Sequence, residues 1–263
     1  MRALSLHPDV IVFISRVWQT TCTVVRAGGE GFVIDSPVYP DELEALPDVL
    51  EQAEFPVSGL LATHADWDHL LGRLAFPGAP LGCGERSARR IAEELGAAQR
   101  ELKRFDEEHY VEGRGALALS ALQELPVPGR LELGTQLELE LHPADGHTED
   151  GMAIWNPRGR VLVCGDYLSP VEIPMISEGG SLERYRATLE RLQVFIQQAG
   201  AIVPGHGAPM KPDRAQAIYM EDLAYLDALE REGAKAPLPL GRRSGAQRRI
   251  HETNAARVAG AGV

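Results

Sequence analysis

The chain is poor in cysteine: Cys22, Cys83 and Cys164 are its only three. An odd, widely spaced set supports neither a disulfide framework nor a zinc finger, and reads instead as buried small apolar residues. Positive charge is short as well. Lysine and arginine total 26 against 38 aspartates and glutamates, a formal net charge of −12, which favours solubility and repels polyanions such as nucleic acid. Long apolar runs are missing: no stretch approaches the roughly 18 residues a membrane span needs. His7-Pro8-Asp9 interrupts any signal-peptide core behind Arg2. A reducing cytoplasm, a small-molecule substrate, and neither nucleic acid nor membrane as partner are therefore expected. Internal repeats and low-complexity tracts are absent. No Ser-His-Asp or Cys-His arrangement suggests a side-chain nucleophile.

What the chain does have is a dense cluster of metal-ligand side chains. In Thr63-His64-Ala65-Asp66-Trp67-Asp68-His69, four of them (His64, Asp66, Asp68, His69) fall within six positions. The apolar run Val57–Ala62 before them reads as a buried strand ending at the cluster. Three later segments repeat the pattern of a strand-like run followed by glycine and a His or Asp. Gly146-His147-Thr148 comes after 137–141, Gly165-Asp166-Tyr167 after 161–164, and Gly205-His206-Gly207 after 201–204. Glycine lets the backbone turn sharply beside an ion. One such histidine is ordinarily a satisfied core residue; four strand ends carrying ligand types together point to a metal centre.

The order H-x-D-x-D-H, then G-H-T, G-D and P-G-H-G resembles the metallo-β-lactamase superfamily of metallohydrolases, and within it the glyoxalase II-like group. The likeness runs from about Thr21 to Pro209, with Val33-Ile34-Asp35 matching the strand-end aspartate that braces the family's metal loop. Asp66 departs from the pattern: most members have a second histidine there. The resemblance implies an α/β, αββα sandwich of two mixed sheets flanked by helices. It also implies a binuclear metallohydrolase that cleaves a thioester, ester or lactone with a hydroxide bridging two divalent ions, zinc first and iron or manganese as alternatives. One metal would take His64, Asp66 and His147; the other would take Asp68, His69 and His206; Asp166 would bridge them. Asp68 and Asp166 would be the catalytic residues, with Asp68 also orienting the nucleophile.

Asp66 alters the charge of such a centre. Three aspartates, two divalent ions and a hydroxide sum to zero, whereas a histidine at 66 would leave +1. A less positive core is a weaker Lewis acid and suits harder metals. The flavodiiron branch also carries a carboxylate at this place, so a di-iron oxidoreductase with a separate electron donor is the rival expectation. A third is a non-enzymatic descendant that only binds metal. The lactonase aromatic three places after the bridging aspartate is replaced by Ser169. Tyr167, Met175 and Tyr110 are the candidates for touching substrate.

Periodicity predicts strands at 10–17, 21–27, 31–36, 57–62, 81–83, 137–142, 152–155, 160–164 and 201–203. It predicts helices at 41–53 (interrupted or begun at Pro47), 86–108, 181–198, 212–230 and 242–258. The proline-rich stretch 169–177 is expected to border the site mouth. The domain expectation is a catalytic unit over 1–235 with a helical insertion at about 86–129, then a helical tail over 236–263. Arg242, Arg243, Arg248 and Arg249 read as a solvated helix face, with an anionic carrier as the alternative.

Overall fold

The computed structural model describes residues 1–134 and 137–260. Seven strands form the first sheet: β1 (Arg2–His7), β2 (Val10–Ile14), β3 (Thr21–Ala27), β4 (Glu30–Asp35), β5 (Gly59–Ala62), β6 (Leu81–Gly84) and β7 (Leu122–Leu125), in that spatial order. The first four pair antiparallel, and β4 to β7 run parallel. Helices α1 (Pro40–Gln52), α2 (Gly72–Ala75), α3 (Glu85–Glu93) and α4 (Ala97–Glu108) lie between these strands in sequence. The second sheet holds β8 (Gly129–Leu133), β9 (Leu137–Pro143), β10 (Met152–Asn156), β11 (Val161–Val163) and β12 (Ala201–Val203), antiparallel except for the β11–β12 pair. Helices α5 (Leu182–Gln198), α6 (Pro212–Glu232) and α7 (Gly245–Gly260) complete the chain.

The two-residue period of a strand sorts neighbouring side chains into different layers. Val24, Val33 and Leu60 face α1 and α4 beside Leu43, Leu46, Leu50, Leu102 and Phe105. Their neighbours Val25, Ile34 and Leu61 face the other sheet, meeting Leu139, Leu141, Ile154 and Val203. On the far side, Trp155, Leu162 and Ile202 pack under Tyr185, Leu189, Leu192, Tyr225 and Leu229 of α5 and α6. Both faces of the central strands are buried, so these strands read as apolar runs rather than alternating patterns. Two mixed sheets between helical layers is the expected fold. Each fully buried aliphatic side chain contributes about 1.5–3 kcal/mol toward it. All three cysteines are free and buried.

Several elements differ from the sequence expectation. Periodicity does not anticipate strands β1, β7 and β8: each lies at a sheet edge and is short or partly exposed, with too few buried positions to mark a core strand. The segment expected as a helical insertion at about 86–129 also holds β7, the last strand of the first sheet. The predicted helix at 86–108 is two helices, because Gly96 takes a left-handed conformation with φ 76° between them. Helix α1 runs continuously through Pro47. No helix among the described residues is long and apolar enough to cross a membrane.

Candidate metal centre

Strand β5 ends at Ala62, and the chain turns through His64 and Asp66 into a short 3-10 turn, Trp67–His69. Asp35, at the end of the neighbouring β4, holds this turn. Its Oδ1 accepts from the Thr63 amide at 2.8 Å and its Oδ2 from Thr63 Oγ1 at 2.9 Å. His147 sits on the β9–β10 connection, and Asp166 and His206 follow β11 and β12. The two sheets are joined here by the Thr20–His206 bridge and by a Thr21 amide bond to the Gly205 carbonyl at 2.8 Å. A Cβ at 205 would collide with Asp166 Oδ1, so glycine there leaves that carboxylate its place.

All seven predicted side chains converge. Asp66 Oδ2 lies 3.6 Å from His64 Nε2 and 3.4 Å from His147 Nε2. Asp68 Oδ2 lies 3.6 Å from both His69 Nε2 and His206 Nε2. Asp166 stands between the two groups: Oδ2 is 3.7 Å from His64, 3.3 Å from His147 and 3.4 Å from His206, and Oδ1 is 3.3 Å from His69. Ligands about 2.1 Å from one tetrahedral ion are separated by roughly 3.4 Å. The donor spacing therefore matches that of side chains gathered around cations.

The histidine rings are oriented alike. His147 Nδ1 donates to the Met175 carbonyl at 2.8 Å, and His69 Nδ1 faces Asp35 Oδ2 at 3.0 Å. Thr63 Oγ1 donates to Asp35, so it accepts from His64 Nδ1 at 3.0 Å. Thr20 Oγ1 donates to the Val17 carbonyl, so it accepts from His206 Nδ1 at 3.3 Å. With the proton held on Nδ1 in His64, His147 and His206, their Nε2 atoms keep a lone pair for the centre, as metal-binding imidazoles need. The Nε2 atoms of His64, His69 and His147 and Oδ1 of Asp166 are buried without a hydrogen-bond partner. Buried polar atoms left this way are costly unless something satisfies them. A cation does so, and the donor set fits zinc, iron or manganese.

Electrostatics agree. Burial alone would lower the His147 pKa, but the hydrogen bond with Asp66 and the charges of Asp166 and Asp66 push it up to about 9. His206 goes up to about 10, where burial is outweighed by the charges of Glu172, Asp166 and Asp68. Burial works to raise Asp66 and Asp166, yet the surrounding imidazoles hold both well below the usual carboxylate range. The cluster is a site short of positive charge.

The remaining candidates lie around the centre in different settings. Tyr167 is buried and its hydroxyl accepts from the His147 amide at 2.8 Å, so it positions backbone and lines no open mouth. Met175 acts through its carbonyl on His147. Tyr110 is 92% exposed at the end of α4. Ser169 Oγ donates to the His206 carbonyl at 2.7 Å. Of the C-terminal arginines, Arg242 is buried rather than solvated, bonding Asp222 Oδ1 at 2.6 Å and the carbonyls of Ser169 and Glu172.

Three functional neighbours escape sequence reading: Glu172, whose charge helps raise His206, and the pair Arg90 and Asp150. Arg90 Nη2 lies 2.8 Å from Asp66 Oδ1, so a charge count that stops at the seven side chains omits a cation. The only local hint is the small pair Ser87 and Ala88 on the same helix, both buried, which marks one face as inward.

The chain is similar in fold to several solved structures. A metallo-β-lactamase family protein from Thermus thermophilus shares 19% identity, covering 98% of this chain and 96% of its own with a TM-score of 0.69. Metallo-β-lactamases from Pontibacter korlensis and Hirschia baltica share 17% and 16% identity, with TM-scores of 0.61 and 0.57. Each covers 83% of this chain, and 98% and 96% of its own, respectively. These likenesses concern the fold. The model of the metallo-β-lactamase superfamily matches residues 15–206, a span that holds every one of the seven converging side chains, and the chain belongs to that superfamily.

Proposed function

We propose that this protein is a metal-dependent hydrolase of the binuclear class, acting on a small-molecule ester-type bond, with a thioester of the glyoxalase II-like kind as the first candidate. The observation that carries this reading is Asp166, which stands within 3.3–3.7 Å of all four imidazoles: its Oδ2 reaches histidines of both groups and its Oδ1 reaches His69. His64, Asp66 and His147 would hold one ion, Asp68, His69 and His206 the other, with Asp166 common to both. Divalent ions at such a place activate water at neutral pH and polarise a carbonyl oxygen.

The chain's own residues do the rest. The Nδ1 partners hold the rings so that no ligand turns during reaction. Asp68 has one carboxylate oxygen toward His69 and His206 and is placed to accept a proton from the attacking water. Trp18, 45% exposed and 6.4 Å from the His206 ring, makes an apolar wall with Trp67 and Phe105 beside the ligands. Such a wall suits the acyl or carrier part of a small organic substrate. The net charge of −12 disfavours polyanionic substrates.

Purified protein assayed aerobically against thioesters, lactones and phosphoesters, with its metal content measured, tests this reading. Release of an acid with a thiol or alcohol, without added reductant, is the expected result. The carboxylate at position 66 also supports a di-iron oxidoreductase as the second reading. Activity that appears only with a reduced flavin partner and consumes dioxygen or nitric oxide would establish that reading instead.

A further inference from the structure

Among the described residues, Asp66 is the only candidate ligand paired with an arginine or lysine. Its carboxylate is divided. Oδ2 faces His64 and His147, while Oδ1 accepts from Arg90 Nη2 at 2.8 Å. The other arm of the same guanidinium, Nη1, donates to Asp150 Oδ1 at 3.0 Å. Asp150 is itself fixed: its Oδ2 accepts from the Ala65 amide at 2.8 Å and its carbonyl from Ser87 Oγ at 3.0 Å. The side chain of Asp150 is fully buried, and that of Arg90 is 20% exposed. Arg90 therefore cannot turn to solvent without leaving a buried carboxylate unpaired.

Two consequences follow for a bound ion. A guanidinium stays protonated at any working pH. Asp66, Arg90 and Asp150 together carry −1, so the guanidinium, shared with Asp150, offsets part of the negative charge that an aspartate at 66 adds to the centre. The bond to Oδ1 also leaves one oxygen facing inward. A free carboxylate could offer two, which suits oxygen-loving ions with higher coordination numbers.

We propose that Arg90 sets the metal preference of this site: paired with Asp66 it makes a charge-screened, one-oxygen ligand in the place of an imidazole, and so holds the centre toward zinc and away from manganese. This rests on the metal-centre reading above.

Three variants separate charge from packing. Asp150→Asn removes the buried charge behind Arg90 and serves as the reference. Arg90→Gln in that background leaves Asp66 uncompensated without stranding a second carboxylate. Arg90→Lys keeps the charge and loses the fork. Zinc and manganese(II) affinities are measured by chelator competition at fixed pH and salt, with the EPR spectrum of bound manganese reporting its coordination and circular dichroism confirming the fold. Relative to Asp150→Asn, the double variant should bind manganese about tenfold tighter and zinc by less than about threefold, since an unscreened carboxylate attracts both ions but its second oxygen favours the harder one. Arg90→Lys should keep the wild-type ratio of the two affinities to within about twofold. An unchanged ratio in the folded double variant overturns the proposal. So does a fall in both affinities, which would make Arg90 only an anchor for the loop. If the wild type takes up neither ion, the metal-centre reading itself fails and this one goes with it.

Discussion

At the scale of single residues, Asp166 occupies the place no other side chain can fill. Its carboxylate reaches imidazoles of both ligand groups, and its position is set from behind, where Tyr185 Oη donates to its carbonyl at 3.0 Å. Asp166→Asn preserves shape and that backbone bond, but replaces one anionic oxygen with a donor nitrogen. An ion on one side then loses its ligand, and the charge holding both ions falls by one. We expect metal content to drop and turnover to fall on the order of a hundredfold or more, as misplacement near 1 Å already does. Metal analysis beside a rate assay checks this; full occupancy with a normal rate would rule out the two-ion arrangement.

At the scale of elements, the C-terminal helix acts on the centre through the segment 169–177. That segment has no regular hydrogen bonding of its own, yet it carries the Met175 carbonyl that orients His147 and the Ser169 hydroxyl that bonds the His206 carbonyl. Helix α7 supplies the partners its backbone lacks. Gln247 Oε1 accepts from the Ile173 amide at 2.7 Å, Asn254 Oδ1 accepts from the Ile176 amide at 2.8 Å, and Asn254 Nδ2 donates to the Pro174 carbonyl at 2.6 Å. Asn254→Ala would strand both backbone groups in a fully buried place. At about 1–3 kcal/mol for each unsatisfied group, the expected loss is about 2–6 kcal/mol, read from urea unfolding. A change below about 0.5 kcal/mol, the range of ordinary surface substitutions, would show that the tail does not hold the segment.

Helix α6 adds a pH dependence at the same junction. Burial pushes the Asp222 carboxyl up to about 7, against the pull of Arg242. In the unfolded chain it titrates near 3.9. Between these values the folded protein keeps a proton that the unfolded chain has released. Its contribution is therefore fully present below about pH 4 and is lost as pH rises through about 7. Asp222→Asn should remove that slope. Denaturant midpoints of wild type and variant across this window give the comparison, and parallel profiles would contradict it.

At the scale of the whole molecule, the centre is where the two sheets meet. The first sheet contributes His64, Asp66, Asp68 and His69 through the loop after β5, and the second contributes His147, Asp166 and His206. Cations held there would tie the two halves of the sandwich together and would bind the folded chain alone. At a free concentration a hundredfold above Kd, one such ion stabilises by about 2.7 kcal/mol. Chelation should therefore lower the thermal midpoint, and readdition of zinc should restore it, with near- and far-ultraviolet signals moving together. A midpoint indifferent to chelator would show that no ion is bound between the sheets.

The ligand types were legible in the sequence because they are local: His64 to His69 are contiguous, and His147, Asp166 and His206 each stand beside glycine just past a strand-like run. The central strands were legible for the same reason, since a two-residue period records which faces are buried. The edge strands β1, β7 and β8 were not, because an exposed strand has little apolar pattern to show. Nor was the break at Gly96, where a run of charged residues masks a change of direction. Sequence could not show that Arg90 meets Asp66 and Asp150, that Arg242 lies buried against Asp222, or that the Tyr167 hydroxyl is taken up by the His147 amide. A charged side chain looks the same in sequence whether its face meets water or a carboxylate far along the chain. Only packing brings the distant partner within hydrogen-bond distance, and at that distance in a buried site its charge becomes part of the chemistry.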